Sequence, residues 1–181
     1  MKQILIPTDF SDNAWNAIKY GLEMFKKTRC TFYLMHVNTI PHYSGAGMAV
    51  GAAGENINTI ILKDSKEKLR RLLDRIKKEI PLNTGHTFVP LALFDIFVDA
   101  IKRQSENKRI DLIIMGTKGA TGLKKATIGS NTGDVITRVK CPLLVIPEDA
   151  EYAALKEIAF PTDYQIGYDM NVLDTLIEML T

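Results

Sequence analysis

The sequence has little cysteine and little net charge, and each shortage argues against a class of protein. Two of its 181 residues are cysteines, Cys30 and Cys141, and they form no CxxC pair. A zinc site or a disulfide framework is therefore not expected, and a reducing compartment is the simplest location. The net charge of +2 at pH 7 gives no reason to expect a nucleic-acid partner.

Long apolar runs and the two best-known phosphate-binding patterns are also missing. No apolar run approaches the roughly 20 residues that cross a bilayer, and the first residues lead directly into a strand-like run instead of a signal peptide. We therefore predict a cytoplasmic chain without a membrane partner. The Rossmann dinucleotide-binding pattern GxGxxG should follow the first predicted strand, where PTDFS is found instead. The P-loop pattern GxxxxGK[ST] is also absent.

Short apolar runs alternate with amphipathic stretches along the chain. Strands are predicted over residues 4–6, 31–37, 86–90, 112–115 and 143–146. Helices are predicted after Ser11, over residues 57–80, from Phe94 to near Asn107, and after Gly129 with Val135, Ile136 and Val139 on one face. Residues 38–56 are predicted to form a long loop. This alternation predicts an α/β fold with a five-stranded, parallel, doubly wound sheet.

A glycine-containing segment, residues 115–132, joins the fourth predicted strand to the fourth helix. Glycines allow close backbone approach, and the first N–H groups of a helix attract anions because they lack internal partners. The residues at the helix start are expected to cap it or to bond a ligand oxygen. They are Ser130, Asn131 and Thr132. From these residues alone, the segment is either a phosphate-binding loop or an ordinary surface loop with turn glycines.

Asp9 follows the first predicted strand as Gly116 follows the fourth. In open parallel sheets, ligands bind beyond the carboxyl ends of the strands, where the strand order reverses. If the first and fourth strands are neighbours at that point, Asp9 and Gly116 face one crevice. The alternative is that Asp9 only caps a turn before the first helix. His36, in the second strand, is interpreted as a hydrogen-bonded core histidine and not as a ligand-binding residue.

These stretches together resemble the universal stress protein (UspA-like) family. The spacing from Gly116 to Ser130 matches its ATP-binding signature G-x2-G-x9-G-[ST], and residues 6–11, 35–37, 111–116 and 141–147 match its other conserved stretches. The resemblance covers residues 1–147. It implies an adenine nucleotide alpha hydrolase-like fold with strand order 3-2-1-4-5. One departure is at residues 91–93, where members often carry a glycine.

The resemblance also implies a role for individual residues. Asp9 would contact the ribose or adenine side of a nucleotide, the backbone of Val37 would bind the adenine edge, and Ser130 would bond a phosphate oxygen. The glycines would bring N–H groups to the ribose and the phosphates. The implied cofactor-binding residues are Pro7, Thr8, Asp9, Val37, Met115, Gly116, Gly119, Gly129, Ser130, Asn131 and Thr132. Neither a catalytic residue nor a metal ligand is implied.

The function implied by the resemblance is that of an ATP-binding, nucleotide-sensing homodimer that regulates a stress response. The nucleotide is ATP, AMP or another adenylate, with or without Mg²⁺. Two other classes stay open. One is a slow ATPase or nucleotidyl-transfer enzyme of the same fold, and the other is a dimerisation module that no longer binds nucleotide.

The end of the sequence repeats its beginning, because residues 156–164 match residues 2–10. We therefore predict a universal stress protein domain over residues 1–147, a linker over 148–155, and the opening strand and helix of a second, incomplete domain over 156–181. One strand and one helix cannot bury their own apolar faces. This tail is expected to pack on the first domain or on a second copy of the chain.

Overall fold

The computed structural model describes residues 1–39, 57–81, 83–117, 129–161, 173–174 and 176–177. The chain divides into two compact units, Met1–Ala150 and Glu151–Thr181. Gly119 and most of the long loop predicted over residues 38–56 lie outside the described residues.

Strands and helices alternate along the first unit as the hydrophobic pattern predicts. In chain order they are β1 (Lys2–Pro7), α1 (Asp12–Met24), β2 (Cys30–Asn38), α2 (Ile57–Glu79), β3 (His86–Phe94), α3 (Phe97–Asn107), β4 (Leu112–Gly116), α4 (Ser130–Arg138) and β5 (Leu143–Ile146). The strand order is β3-β2-β1-β4-β5, and every strand pair is parallel. The predicted fold class and strand order are therefore confirmed.

The order of the strands places a reversal at the centre of the sheet. The chain builds from β1 through β2 to β3 on one side, and then crosses over to add β4 and β5 on the other side of β1. The loops that leave β1 and β4 therefore diverge, and a crevice is expected between them.

Apolar side chains cover both faces of the sheet, so helices pack on both. A fully buried cluster that includes Leu5, Met35 and Ile113 lies on the face covered by α3 and α4, which contribute Ile101 and Val135. The opposite face carries α1, since a Cβ atom added to Gly21 would lie 2.8 Å from Ile114 and 3.6 Å from Ile6. Arg75 of α2 lies 4.0 Å above the ring of Trp15 in α1, which places these two helices side by side.

The start of α1 is set by its cap. Ser11 is the N-cap residue, and its hydroxyl oxygen accepts a hydrogen bond from the amide of Ala14 at 3.2 Å. This bond satisfies one of the N–H groups that lack a partner inside the helix. The sequence predicted Ser11 or Asp12 for this role.

Two predicted boundaries are wrong. β3 was expected to end at Pro90 but continues to Phe94, paired with β2 along its whole length. Proline is tolerated there because β3 is an edge strand of the sheet. Phe94 therefore belongs to β3, and α3 begins at Phe97. On α4 the predicted apolar face is also incomplete, because Ile136 is 49% exposed while Val135 is buried.

In the second unit, residues 151–161 have neither helix nor strand, and residues 173–174 and 176–177 are helical. The strand predicted for the repeated segment is therefore not formed over residues 156–161. A strand forms only with a pairing partner, and these residues pair with no strand in the part of the chain that the structure describes. The assignment of residues 156–181 to a second domain stays a prediction. Among the described residues, no helix is long and apolar enough to cross a membrane.

Candidate functional site

A cleft of about 230 Å³ opens at the carboxyl ends of β1, β2 and β4. It lies where the strand order reverses between β1 and β4. Its walls also include the first residues of α3 and α4. The lining residues are Pro7, Thr8, Asp9, Ala14, His36, Val37, Thr39, Phe97, Met115, Gly116, Asn131 and Thr132.

The structure brings most of the predicted site residues together in this cleft. Asp9 after β1 and Gly116 at the end of β4 share its wall with Asn131 and Thr132 of α4, as the crevice argument requires. Gly129 and Ser130 directly precede Asn131 in the sequence but are not part of the wall.

The carboxylate of Asp9 is bonded to the start of α1. Its Oδ1 accepts hydrogen bonds from the amide of Ser11 at 3.0 Å and from the hydroxyl of Ser11 at 2.6 Å. Asp9 thus makes the turn bond that the alternative interpretation proposed, and it lines the cleft as well. The two roles are compatible because a carboxylate has two oxygens and about four acceptor positions.

The turn around Asp9 is closed by bonds on both sides. The amide of Thr8 donates to the carbonyl of Met35 at 2.8 Å, which extends the pairing of β1 with β2. The amide of Phe10 donates to the hydroxyl of Thr8 at 3.0 Å. Phe10 itself has φ of 66°, a left-handed conformation that is unusual for a bulky residue. Strained backbone of this kind is concentrated at functional sites.

Gly116 is required at the end of β4 because a neighbouring side chain fills the space beside it. A Cβ atom added to Gly116 would lie 2.8 Å from Cγ, Nδ2 and Oδ1 of Asn13. The carbonyl of Gly116 accepts a hydrogen bond from the buried hydroxyl of Thr132 at 3.0 Å. Gly116 therefore connects α1, β4 and α4 at the floor of the cleft.

The start of α4 differs from the prediction in two respects. The N-cap residue is Gly129, and no side chain caps the helix, so Ser130, Asn131 and Thr132 do not act as caps. The amide of Gly129 donates to the carbonyl of Thr117 at 2.7 Å, so it is not available to a phosphate. The next three amides have no acceptor within the helix. These amides, at Ser130 to Thr132, are the donors that an anion would meet.

Sequence reasoning missed part of the cleft wall. Ala14, Thr39 and Phe97 belong to it although no motif marks them. His36, interpreted as a core histidine, is half-buried and also lines the cleft. Its position directly before Val37 in the second strand was the available signal, but its place in a buried strand favoured a core role.

The cleft contains one carboxylate, Asp9, among the lining residues. In the described ranges, no group of three His, Cys, Asp or Glu side chains is arranged to hold a metal ion. The cysteines are not in the cleft, since Cys30 begins β2 and Cys141 precedes β5. Burial raises the pKa of each thiol to about 11, so both are protonated at neutral pH and are poor nucleophiles.

Fold and cleft together define a doubly wound α/β protein with a cleft at the reversal of strand order. Comparison with known families gives the class a name. The family model described as the universal stress protein family matches residues 1–147. The chain belongs to this family.

Relatives of known sequence and structure agree with this assignment. The universal stress protein MJ0577 of Methanocaldococcus jannaschii is 30% identical over 154 residues, which cover 80% of this chain and 94% of that protein. Its solved structure matches with a TM-score of 0.67 at 25% identity, over 83% of this chain and 98% of that chain.

Two more distant structures share the fold and were solved with nucleotides. A universal stress protein in complex with cAMP has a TM-score of 0.53 at 18% identity, over 82% of this chain and 98% of that chain. A family member from Arabidopsis thaliana with AMP bound has a TM-score of 0.54 at 14% identity, over 83% and 94%.

Proposed function

We propose that this chain binds an adenine nucleotide in the cleft between β1 and β4, with ATP and AMP as the first candidates. The observation that carries the proposal is that Asp9 lines the same cleft as Asn131 and Thr132, which belong to the uncapped first turn of α4. A carboxylate accepts hydrogen bonds from ribose hydroxyls, and free helix amides donate to phosphate oxygens. The cAMP and AMP complexes of proteins with this fold support the choice of an adenylate.

In this proposal, each part of the nucleotide lies against residues that can bind it. The adenine lies against Val37, Phe97 and Met115, where apolar surface surrounds the backbone at the end of β2. The ribose lies between Asp9 and Gly116. The phosphates lie over the amides of residues 130–132, which attract anions through the helix dipole. Mg²⁺, where present, is held mainly by the phosphates, as is usual for nucleotide-bound magnesium.

The proposed role is that of a nucleotide-sensing homodimer in a cytoplasmic stress response. A ligand acts as a signal only when it binds one conformational or oligomeric state more tightly than another. The strand at the β4 side of the sheet, β5, is an edge strand whose residues are all apolar. Such an edge is suited to pairing with a second copy of the chain. The two free cysteines fit a reducing compartment.

Isothermal titration of the full chain with ATP, with and without Mg²⁺, and with AMP tests the proposal. We expect saturable binding of at least one adenylate with one site per chain. Ser130→Ala and Gly129→Val are expected to weaken binding, because one removes a phosphate donor and the other adds bulk at the N-cap. Gly133→Ala is the control on the same helix, since a Cβ atom there would meet nothing within 4 Å. Absence of binding heat for every adenylate contradicts the proposal and favours a dimerisation module.

Measurement of ATP hydrolysis distinguishes a nucleotide sensor from a slow enzyme. The cleft wall offers Asp9 as its carboxylate, and that group is already bonded to Ser11. We therefore expect ATP hydrolysis by the wild-type chain to equal that of a Gly129→Val, Ser130→Ala double variant. Hydrolysis clearly above this control would establish the ATPase alternative.

The tail, residues 156–181, is proposed to pack on the first domain or on a second copy. Hydrogen exchange distinguishes the two arrangements. Protection that grows with protein concentration indicates a second copy, and protection independent of concentration indicates the same chain. Complete absence of protection in a monomer contradicts both.

A further inference from the structure

The two residues that flank Asp9 are both held by one side chain from the neighbouring strand, His36. Its Nδ1 lies 2.8 Å from the carbonyl oxygen of Thr8. Its ring lies 4.6 Å from the ring of Phe10, measured between centroids, with the planes tilted by 41°. His36 thus reaches from β2 to both sides of the residue that provides the carboxylate of the cleft.

The hydrogen bond fixes the protonation of the His36 ring. A carbonyl oxygen only accepts hydrogen bonds, so Nδ1 must carry the proton. In the neutral ring, Nε2 is then an acceptor. Because His36 lines the cleft, its ring is part of the wall and also a support for the turn behind it.

The ring contact accounts for how the turn keeps an unfavourable backbone conformation. Phe10 has φ of 66°, which a bulky residue adopts only when its surroundings determine it. The bond from its amide to the Thr8 hydroxyl restrains the backbone. The tilted contact of its ring with the ring of His36 restrains the side chain. Both restraints act on the peptide that follows Asp9.

We propose that His36 is the positioning residue of the nucleotide site, which holds Asp9 in place by bonding Thr8 and packing its ring against that of Phe10. This inference rests on the proposed function, because Asp9 is taken as the group that binds the ribose. His36 then acts through Asp9, and its removal lowers affinity only while the Asp9 carboxylate is present.

Two substitutions separate the two contacts of His36. His36→Asn retains an N–H donor near the position of Nδ1 but removes the ring that contacts Phe10. His36→Phe retains a ring and removes the donor. His86→Phe is a matched control, since His86 also bonds a carbonyl, that of Phe25 at 3.1 Å, and contacts the rings of Phe32 and Phe88. His86 begins β3, at the end of the sheet opposite to the cleft.

The experiment is a titration with the adenylate that the wild-type chain binds, in a cycle of Asp9→Asn with each His36 variant. We expect His36→Phe and His36→Asn each to weaken binding by about five- to tenfold in the wild-type background. In the Asp9→Asn background we expect a change of less than about twofold, because the group being positioned is gone. His86→Phe is expected to leave affinity unchanged.

Each other outcome has a defined meaning. Equal losses in the two backgrounds overturn the inference, because His36 then acts independently of Asp9. Unchanged affinity in both His36 variants overturns it as well. If the wild-type chain binds no adenylate, the proposed function fails and this inference fails with it. If the wild-type chain binds and only the cycle fails, the proposed function stands.

A measurement without ligand tests the geometric premise. Nitrogen-15 NMR of the neutral histidine rings is expected to show His36 as the Nδ1–H tautomer. Free histidine prefers the other tautomer, so this signature requires the bond to the Thr8 carbonyl. Observation of the Nε2–H tautomer at His36 overturns the inference.

Discussion

Gly116 has no room for a side chain, so its replacement tests the floor of the cleft. In Gly116→Ala the new Cβ atom would lie 2.8 Å from the Asn13 amide, which is buried at 7% exposure. Moving Asn13 disturbs the first turn of α1, and we expect a loss of stability of about 1–3 kcal/mol. We also expect nucleotide affinity to fall by about tenfold or more. Urea denaturation and titration calorimetry measure the two effects.

Gly133→Ala provides the matched control for this prediction. A Cβ atom at Gly133, inside α4, would meet nothing within 4 Å. Alanine favours a helix interior over glycine by about 0.5–1 kcal/mol. Gly133→Ala is therefore expected to raise stability and leave affinity unchanged. Equal behaviour of the two variants would show that Asn13 moves aside at no cost.

The buried thiols predict a loss of stability at high pH. Burial raises the pKa of Cys141 from 9.0 to about 11, and it does the same for Cys30. Above pH 9 the unfolded chain therefore loses thiol protons that the folded chain keeps, so stability falls as the pH rises towards 11. Cys141→Ser removes one of these groups. Its melting temperature is expected to fall less steeply than that of the wild type between pH 9 and 11, as measured by calorimetry.

At the scale of the element, α2 is stabilised by its buried face and hardly at all by its surface ion pairs. Glu67 accepts hydrogen bonds from Arg70 and Arg71, which lower its pKa to about 2. All three side chains are solvated, where ion pairs contribute little because water and salt screen them. Leu69 on the same helix is fully buried.

Two substitutions on α2 test this contrast. We expect Glu67→Gln to change the melting temperature by no more than about 2 °C. Leu69→Ala is expected to cost about 2–5 kcal/mol, because it removes buried methyl groups and leaves a cavity. Thermal and urea denaturation measure both. A larger effect of Glu67→Gln than of Leu69→Ala would contradict this account of the helix.

Elements were predictable from the sequence where local chemistry determines them. The N-cap at Ser11 and the helix over residues 57–80 follow from side-chain spacing, and the structure places them accordingly. Pro90 was taken as the end of a strand, because a sequence does not show which strand is at the edge of a sheet. The cap of α4 was assigned to hydroxyl and amide side chains, although the backbone of Gly129 takes that position without a side-chain bond.

At the scale of the whole molecule, the site was predictable because topology brings distant motifs together. Asp9 and Gly116 are separated by most of the domain, and the strand order alone makes β1 and β4 neighbours. Once a parallel sheet with this strand order is inferred, Asp9 and Gly116 are expected to lie at the same crevice. The contacts of His36 with Thr8 and Phe10 depend on the side-chain orientation and the left-handed backbone at Phe10. No spacing rule in a sequence reveals either.

The proposed homodimer gives the prediction that belongs to the whole molecule. The carbonyls of Pro142, just before β5, and of Ile146 in β5 point towards β4 and accept hydrogen bonds from the amides of Ile113 and Thr117. Since consecutive residues of a strand point their backbone groups to opposite sides, the N–H of Val145 points away from β4. We expect Val145→Pro to keep the fold and to convert the dimer to a monomer, as measured by light scattering after size-exclusion chromatography.

Leu144→Pro distinguishes loss of pairing from loss of folding. By the same alternation, the N–H of Leu144 points towards β4, so proline there removes a hydrogen bond inside the sheet and is expected to destabilise the monomer. Val145→Pro removes a donor only from the outer edge, so its monomer should melt near the wild-type temperature at low concentration. A dimer that persists in Val145→Pro would show that β5 is not the contact between subunits.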